Sequence, residues 1–448
     1  MKPKTILLGC SGIIIALVLA GLGVLAYFFV YFGPQWTGPT NFAEQRSTLA
    51  ANALATPERP FDQSSNNWPT YDRIRTTTIA VHERVLGHPI RQPNNSFKWP
   101  DIFDANVDKP DPALAQSLID AMDAAGVFAD LDRLVLDPRA VRPEGEGDVM
   151  ADGIPDLSIA RHLTRVNSYR FRADFAKGNA DAALVHLRRN LALSKVMNAQ
   201  ASMLEALVGI AVSARVMSDI RDAVFSASAP IPEPTLAAFQ SLVESTSLPD
   251  LRVALEGERL ISLSTLYTTL GSQRIIASNR AANMNRINQI YDQIIPLSAL
   301  PAAVRRAAAN SVSNSPLANS KLYPATTLLL PAFSRLFQSH DQIQLDRAST
   351  ITFLAIERYR ALNGKPPATL ADLGPLLPAI PPDPFSPNGL IYRPDPTSPR
   401  GYILYSTGFD AADNNRTLGP KTNFDALLAS GQGTDFTVVP PYEEVDKD

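Results

Sequence analysis

The chain reads as a mainly α protein. It has an N-terminal transmembrane helix, an extracytoplasmic helical bundle, and a small α+β module at the C-terminus. Three observations predict this. Residues 6–32 form an apolar run without a charged side chain. From Leu157 to about Arg274, apolar residues recur at helical spacing. Beyond Asn363-Gly364 the pattern changes to short stretches that alternate as hairpin strands do. The expected organisation is an anchor over 1–36, a linker over 37–65, a helical domain over 66–327, and a long helix with a hairpin module over 328–448.

Bulk properties bound the function. A chain of 448 residues can bury the cores of two or three domains. Lys and Arg number 41 against 44 Asp and Glu, a net charge of −3 that favours no nucleic-acid partner. Cys10 is the single cysteine, so no intramolecular disulfide can form. The five histidines are scattered, which argues against a His-based metal or catalytic cluster. The 37 prolines cluster, as between helices joined by rigid irregular connections.

The anchor follows from length. A helix of about 20 residues spans the hydrocarbon core of a bilayer, and the apolar run exceeds that. Tyr27, Tyr31 and Trp36 stand at its far end, where an aromatic belt belongs. Lys2 and Lys4 precede it, and the next basic residue is Arg46. The positive-inside rule then places the N-terminus in the cytoplasm and the bulk of the chain outside it. The run is longer than a signal-peptide core and has no convincing A-x-A site, so the anchor is expected to be retained. Cys10 sits too early in the run for a lipoprotein.

In the middle of the chain, Trp68 and Tyr71 open a helix reaching about Leu86 and share one face. Residues 87–112 read as an extended loop. Residues 112–129 read as one helix. Residues 137–156 read as an acidic solvated loop, without the alternating ligand order of an EF-hand, and Asp156 is placed to cap the next helix. His82, Glu83 and His88 lie close together but lack a third ligand, so they read as surface or cap residues. Ile159, Leu163 and Val166 begin a helix that Gly178-Asn179 ends, and Ala180 starts its partner. The pattern Arg172-Ala173-x4-Gly178-x4-Ala183-Leu184 resembles a single tetratricopeptide-like hairpin. Further helices are expected near 203–227, 234–246 and 249–276, and residues 277–327 read as a helical extension followed by a mobile connection. The arginines from Arg161 to Arg221 are interleaved with Asp174, Asp181, Glu205, Asp219 and Asp222. They read as ion pairs rather than as an anion-binding groove.

The C-terminal module is the most informative stretch. A helix over about 331–362 carries Ala355-Ile356-x-x-Tyr359-x-x-x-Asn363-Gly364. Lys365-Pro366-Pro367, a short helix near Leu370, Asp383-Pro384-Phe385, and the strands Leu390–Arg393 and Gly401–Ser406 follow in order. Tyr405-Ser406-Thr407-Gly408-Phe409-Asp410 closes the series. This order resembles the globular domain of type II secretion major pseudopilins. It is also similar to a C-terminal module of membrane-anchored bacterial proteins. The resemblance implies a structural calcium site in the loop after the last motif, with Asp410 and Asp413 as the matching ligands. The family's leader, with its cleavage glycine, phenylalanine and early glutamate, has no counterpart here.

No Walker A loop, no G-x-G-x-x-G, no H-E-x-x-H and no G-x-S-x-G occurs. Glu256 and Glu258 point to different helix faces. The expectation is therefore a noncatalytic scaffold or interaction protein of the bacterial envelope, single-pass in the inner membrane, tied to secretion by the resemblance. Its partners are the membrane, through the N-terminal helix, and other proteins. Apart from calcium, no cofactor is implied. The alternative is a periplasmic enzyme or ligand-binding protein with its site among the helices near Arg165–Arg221.

Overall fold

A computed structural model describes residues 36–56, 59–92, 96–104, 111–143, 157–268, 280–318, 333–408, 412–413, 415 and 435–438. The apolar run 6–32, most of the acidic loop with Asp156, and Asp410 lie outside the described residues. Among those described, no helix is long and apolar enough to cross a membrane. The protein is mainly helical, as expected.

The helices follow from stop signals and apolar stripes. The stretch read as a linker contains a helix, α1 (Phe42–Leu54), which buries Phe42, Arg46 and Ala50. Polar composition concealed this, because one face is solvated and the buried face carries an arginine. Helix α2 (Trp68–Leu86) ends at Gly87, whose φ of 72° suits glycine. The stretch 112–129 is two helices, not one. Asp111 caps α3 (Pro112–Ala124) by accepting the Leu114 amide at 2.9 Å. Gly126, at φ 80°, then separates it from α4 (Val127–Leu136).

Helices α5 (Leu157–Ala176) and α6 (Ala180–Asn198) form the expected hairpin around Gly178. They are pinned by the Asn167 amide, which donates to Asn190 Oδ1 at 2.9 Å. Helix α7 (Met203–Ser226) packs on both. Helices α8 (Glu233–Glu244) and α9 (Leu251–Tyr267) follow, and α1 lies against α9. The helical extension expected at the start of 277–327 is present, and a second helix follows where a mobile connection is expected. Helix α10 (Arg280–Ile294) and helix α11 (Ala302–Ser313) pack into the bundle, burying Met284, Ile287, Ile290 and Tyr291.

Helix α12 (Phe333–Asn363) is the spine of the C-terminal half. Gly364, at φ 75°, stops it. Thr369 and Asp372 form a capping box on the short turn Leu370–Leu373. Strands β1 (Ile391–Pro394) and β2 (Tyr402–Ser406) pair antiparallel, with Ile391 opposite Tyr405. A third strand not expected from the sequence, β3 (Phe436–Thr437), adds to β2.

The division of the chain at residue 328 cuts through shared cores. Phe333, Leu336 and Phe337 of α12 pack with Met284, Ile290 and Tyr291 of α10. Further along, Ile351, Leu354 and Ile356 join Phe171, Ile220 and Phe239 of the helical region. The same cluster contains Tyr402 and Leu404 of the hairpin. The module is thus continuous with the helical region rather than appended to it.

Candidate functional site

The seam between the helical region and the C-terminal module concentrates buried charge. Glu357 lies on α12 beside the shared core and is 3% exposed. Such a carboxylate is costly unless paired and hydrogen-bonded. Here it is. Tyr402 Oη donates to Oε1 at 2.7 Å. Arg400 and Arg360 approach Oε2 at 3.0 and 2.9 Å. Burial, and then the adjacent Glu357 charge, push the Tyr402 phenol well above its ordinary value.

Arg400 also reaches the end of α7. Its Nη2 donates to the carbonyls of Val224 and, at 2.7 Å, Phe225. Its guanidinium lies 5.1 Å from the centroid of the Phe225 ring. The last carbonyls of a helix have no partner within it and carry the negative end of its dipole. An arginine answers both needs. The device recurs at α8, where Arg347 Nη2 donates to the Glu244 carbonyl at 2.6 Å and Nε to that of Val243 at 3.3 Å. Arg358 adds a pair with Glu233 at the start of α8, Nε to Oε1 at 2.7 Å. Arginines of the C-terminal half therefore grip the ends of two helices.

Two clefts flank the 227–231 connection between α7 and α8. One, of about 610 Å³, is lined by residues including Arg172, Phe175, Asp219 and Ile231. The other, of about 570 Å³, is lined by residues including Ile231, Glu357, Arg360 and Arg400. Asp219 is buried and its Oδ1 meets Arg172 at 3.3 Å and Arg215 at 3.1 Å. Burial lowers the Arg172 guanidinium, against the opposing pull of Asp219. The charged groups lining both clefts are thus largely turned toward one another.

The arginine-rich region follows the same rule. Arg165 pairs with Asp104 at 3.2 Å, Arg189 with Asp132 at 2.7 Å, and Arg221 donates to Thr350 at 2.6 Å. Arg170 lies over Phe128, 4.1 Å from the ring centroid. These contacts join different elements, so the region is partly buried packing more than an exposed charged face.

The residues matched to calcium give a divided picture. Asp413 accepts from Arg393 Nη2 at 2.6 Å, Tyr405 Oη at 2.8 Å and the Asn415 amide at 3.0 Å. Tyr405 first, with Asn415 and Arg393, holds its carboxyl below the ordinary range. Both oxygens are engaged, Oδ2 by the Arg393 guanidinium and Oδ1 by Tyr405 and the Asn415 amide. Asp410 is outside the described residues. Among those described, no group of three or more His, Cys, Asp or Glu could hold a metal ion. The other motif residues serve the fold. Asp383 accepts the Phe385 amide at 2.8 Å, and Ser406 Oγ accepts the Gly408 amide at 3.0 Å.

No family model matches the chain, and no curated protein or solved structure does.

Sequence reasoning missed the seam because its partners are remote. Arg400 and Val224 stand 176 positions apart. It also misplaced His82, which is fully buried, as is His162. A signal existed. Tyr71, Ile74, Thr78 and His82 follow three- and four-residue steps, which is the spacing of a buried stripe.

Proposed function

We propose that the chain is a noncatalytic scaffold or interaction protein of the bacterial envelope. In this reading the apolar run 6–32 anchors it in the inner membrane and the described residues lie outside the cytoplasm. One observation carries the reading. The hairpin module and the helices share one hydrophobic core through α12, and buried arginine contacts lock the seam. Such a body suits the rigid display of surfaces to a protein partner. It does not suit the exchange of subunits along a filament through a free spine helix. The resemblance to major pseudopilins supports a tie to secretion. Calcium is not part of the proposal, given the engagement of Asp413.

The test is crosslinking in cells of tagged full-length protein, followed by identification of the chains recovered with it. Repeated recovery of the same envelope or secretion proteins is expected. Recovery of the protein alone would overturn the reading. It would favour the alternative, a ligand-binding protein or enzyme using the two clefts beside Arg172, Asp219 and Arg400.

A further inference from the structure

Helices α2 and α5 meet at two buried histidines. His82 Nδ1 lies 2.8 Å from the Thr78 carbonyl. A carbonyl only accepts, so this nitrogen carries the proton. The Nε2 atoms of His82 and His162 are 2.9 Å apart. His82 Nε2 is then the acceptor, and His162 Nε2 donates. That leaves His162 Nδ1 unprotonated, buried, and with no hydrogen-bond partner among the described residues. Both rings are neutral in this arrangement.

The pair is covered by the segment 96–104. The Trp99 ring stacks on His162 with centroids 4.1 Å apart and planes at 13°. It also meets His82 edge-on at 5.1 Å. Phe103 meets His162 edge-on at 5.7 Å. The segment is held by the Lys98 amide, which donates to the Ile90 carbonyl at 2.9 Å, and by Arg172 Nη2, which donates to the Phe103 carbonyl at 3.4 Å.

A proton has no good place in this closed arrangement. On His82 Nε2 it would face the His162 N–H across a hydrogen-bond distance. On His162 Nδ1 it would sit without water or an acceptor. The attraction of the Trp99 face for a cation is weak beside the cost of burying an unpaired ion, so the closed state resists protonation. Neighbouring charges do not reverse this. Arg165 on α5 opposes a positive His162. Its partner Asp104 is already engaged, Arg172 serves Asp219 and the segment backbone, and the Glu83 carboxylate accepts the Ile90 amide at 3.2 Å. Swinging the segment away would give water to both rings.

We infer that protonation of the His82–His162 pair releases the segment 96–104 from α2 and α5, making it an acid-sensitive cover. Burial lowers both imidazoles, His162 strongly. Release therefore grows as pH falls below the ordinary histidine range.

The experiment is hydrogen exchange on full-length protein in detergent, at about pH 7.5 and about pH 5, corrected for intrinsic rates. Protection of residues 96–104 should fall roughly tenfold or more, as linkage requires when an imidazole takes up its proton only in the open state. Amides of α6 and α7 should hold. The double variant His82→Phe/His162→Phe leaves no titrating ring beneath Trp99 and should remove the pH dependence. Unchanged protection of 96–104 in the natural protein would overturn the inference, as would the same loss in the double variant. If that variant does not fold, the natural protein still decides. Loss confined to 96–104 supports the inference, and uniform loss over all helices overturns it.

Discussion

At the seam, the Glu357 carboxylate meets two guanidiniums and a phenol. Between α2 and α5, two imidazoles instead face each other and a single carbonyl. Both sites bury polar groups among apolar neighbours. The first stays charged because partners of opposite sign surround it. The second stays neutral because few partners are present. Buried polarity therefore has two stable forms here. Removing one member strands a charge at the seam, whereas adding a proton creates one at the pair.

The largest effect should come from stranding the seam. Glu357→Ala leaves Arg400 buried without its carboxylate, and breaking a buried pair costs about 3–5 kcal/mol. Glu357→Gln keeps an acceptor for Tyr402 and should lose less. Urea unfolding midpoints check both. Equal losses for the two would show that charge is irrelevant at the seam, which would erase the contrast with the histidines.

Leu354→Ala opens a cavity in the core shared by α12 and the hairpin, where Leu354 is fully buried. Such truncations cost about 2–5 kcal/mol. Far-UV dichroism and Tyr fluorescence should shift together along one unfolding transition. If the module melts separately, the seam joins two domains rather than running through one.

The histidines give the next effect, through pH. His82, His162 and His186 are all held below the ordinary value of 6.5, chiefly by burial, His186 to about 4. The unfolded chain then binds more protons as pH falls below 6.5, so stability present above that value is lost on acidification. Thermal midpoints should fall between pH 6.5 and about 4 and stay flat above neutrality. A flat profile below 6.5 would mean that these rings are solvated.

The smallest effect belongs to a turn that both regions rely on. Gly364 stops α12 at φ 75°, with open space around it. Gly364→Ala should cost about 1 kcal/mol from left-handed backbone strain alone, read as a small shift in the same urea midpoint.

Much of this was legible in advance. Leu157 to Ser226 is periodic, and Gly178 and Gly364 stop helices where left-handed glycine is needed. The β1–β2 hairpin showed in the alternation of Tyr402 to Ser406. The linker reading failed at α1, where Arg46 is buried and the apolar stripe is interrupted. The single helix at 112–129 failed at Gly126, a break that glycine permits but does not require. Motif order singles out Asp413 but says nothing of its contacts. Its engagement with Arg393 depends on a strand partner 20 positions away.

What the amino-acid order determined alone is local: which stretches are helical and where glycines end them. These depend on contacts within a few residues. The tertiary structure decided which charges are buried and with whom. Arg400 caps a helix 175 positions earlier, and His162 meets His82 from 80 positions away. The energy of a buried charge or imidazole is set by neighbours in space, and those neighbours come together only when the helices pack.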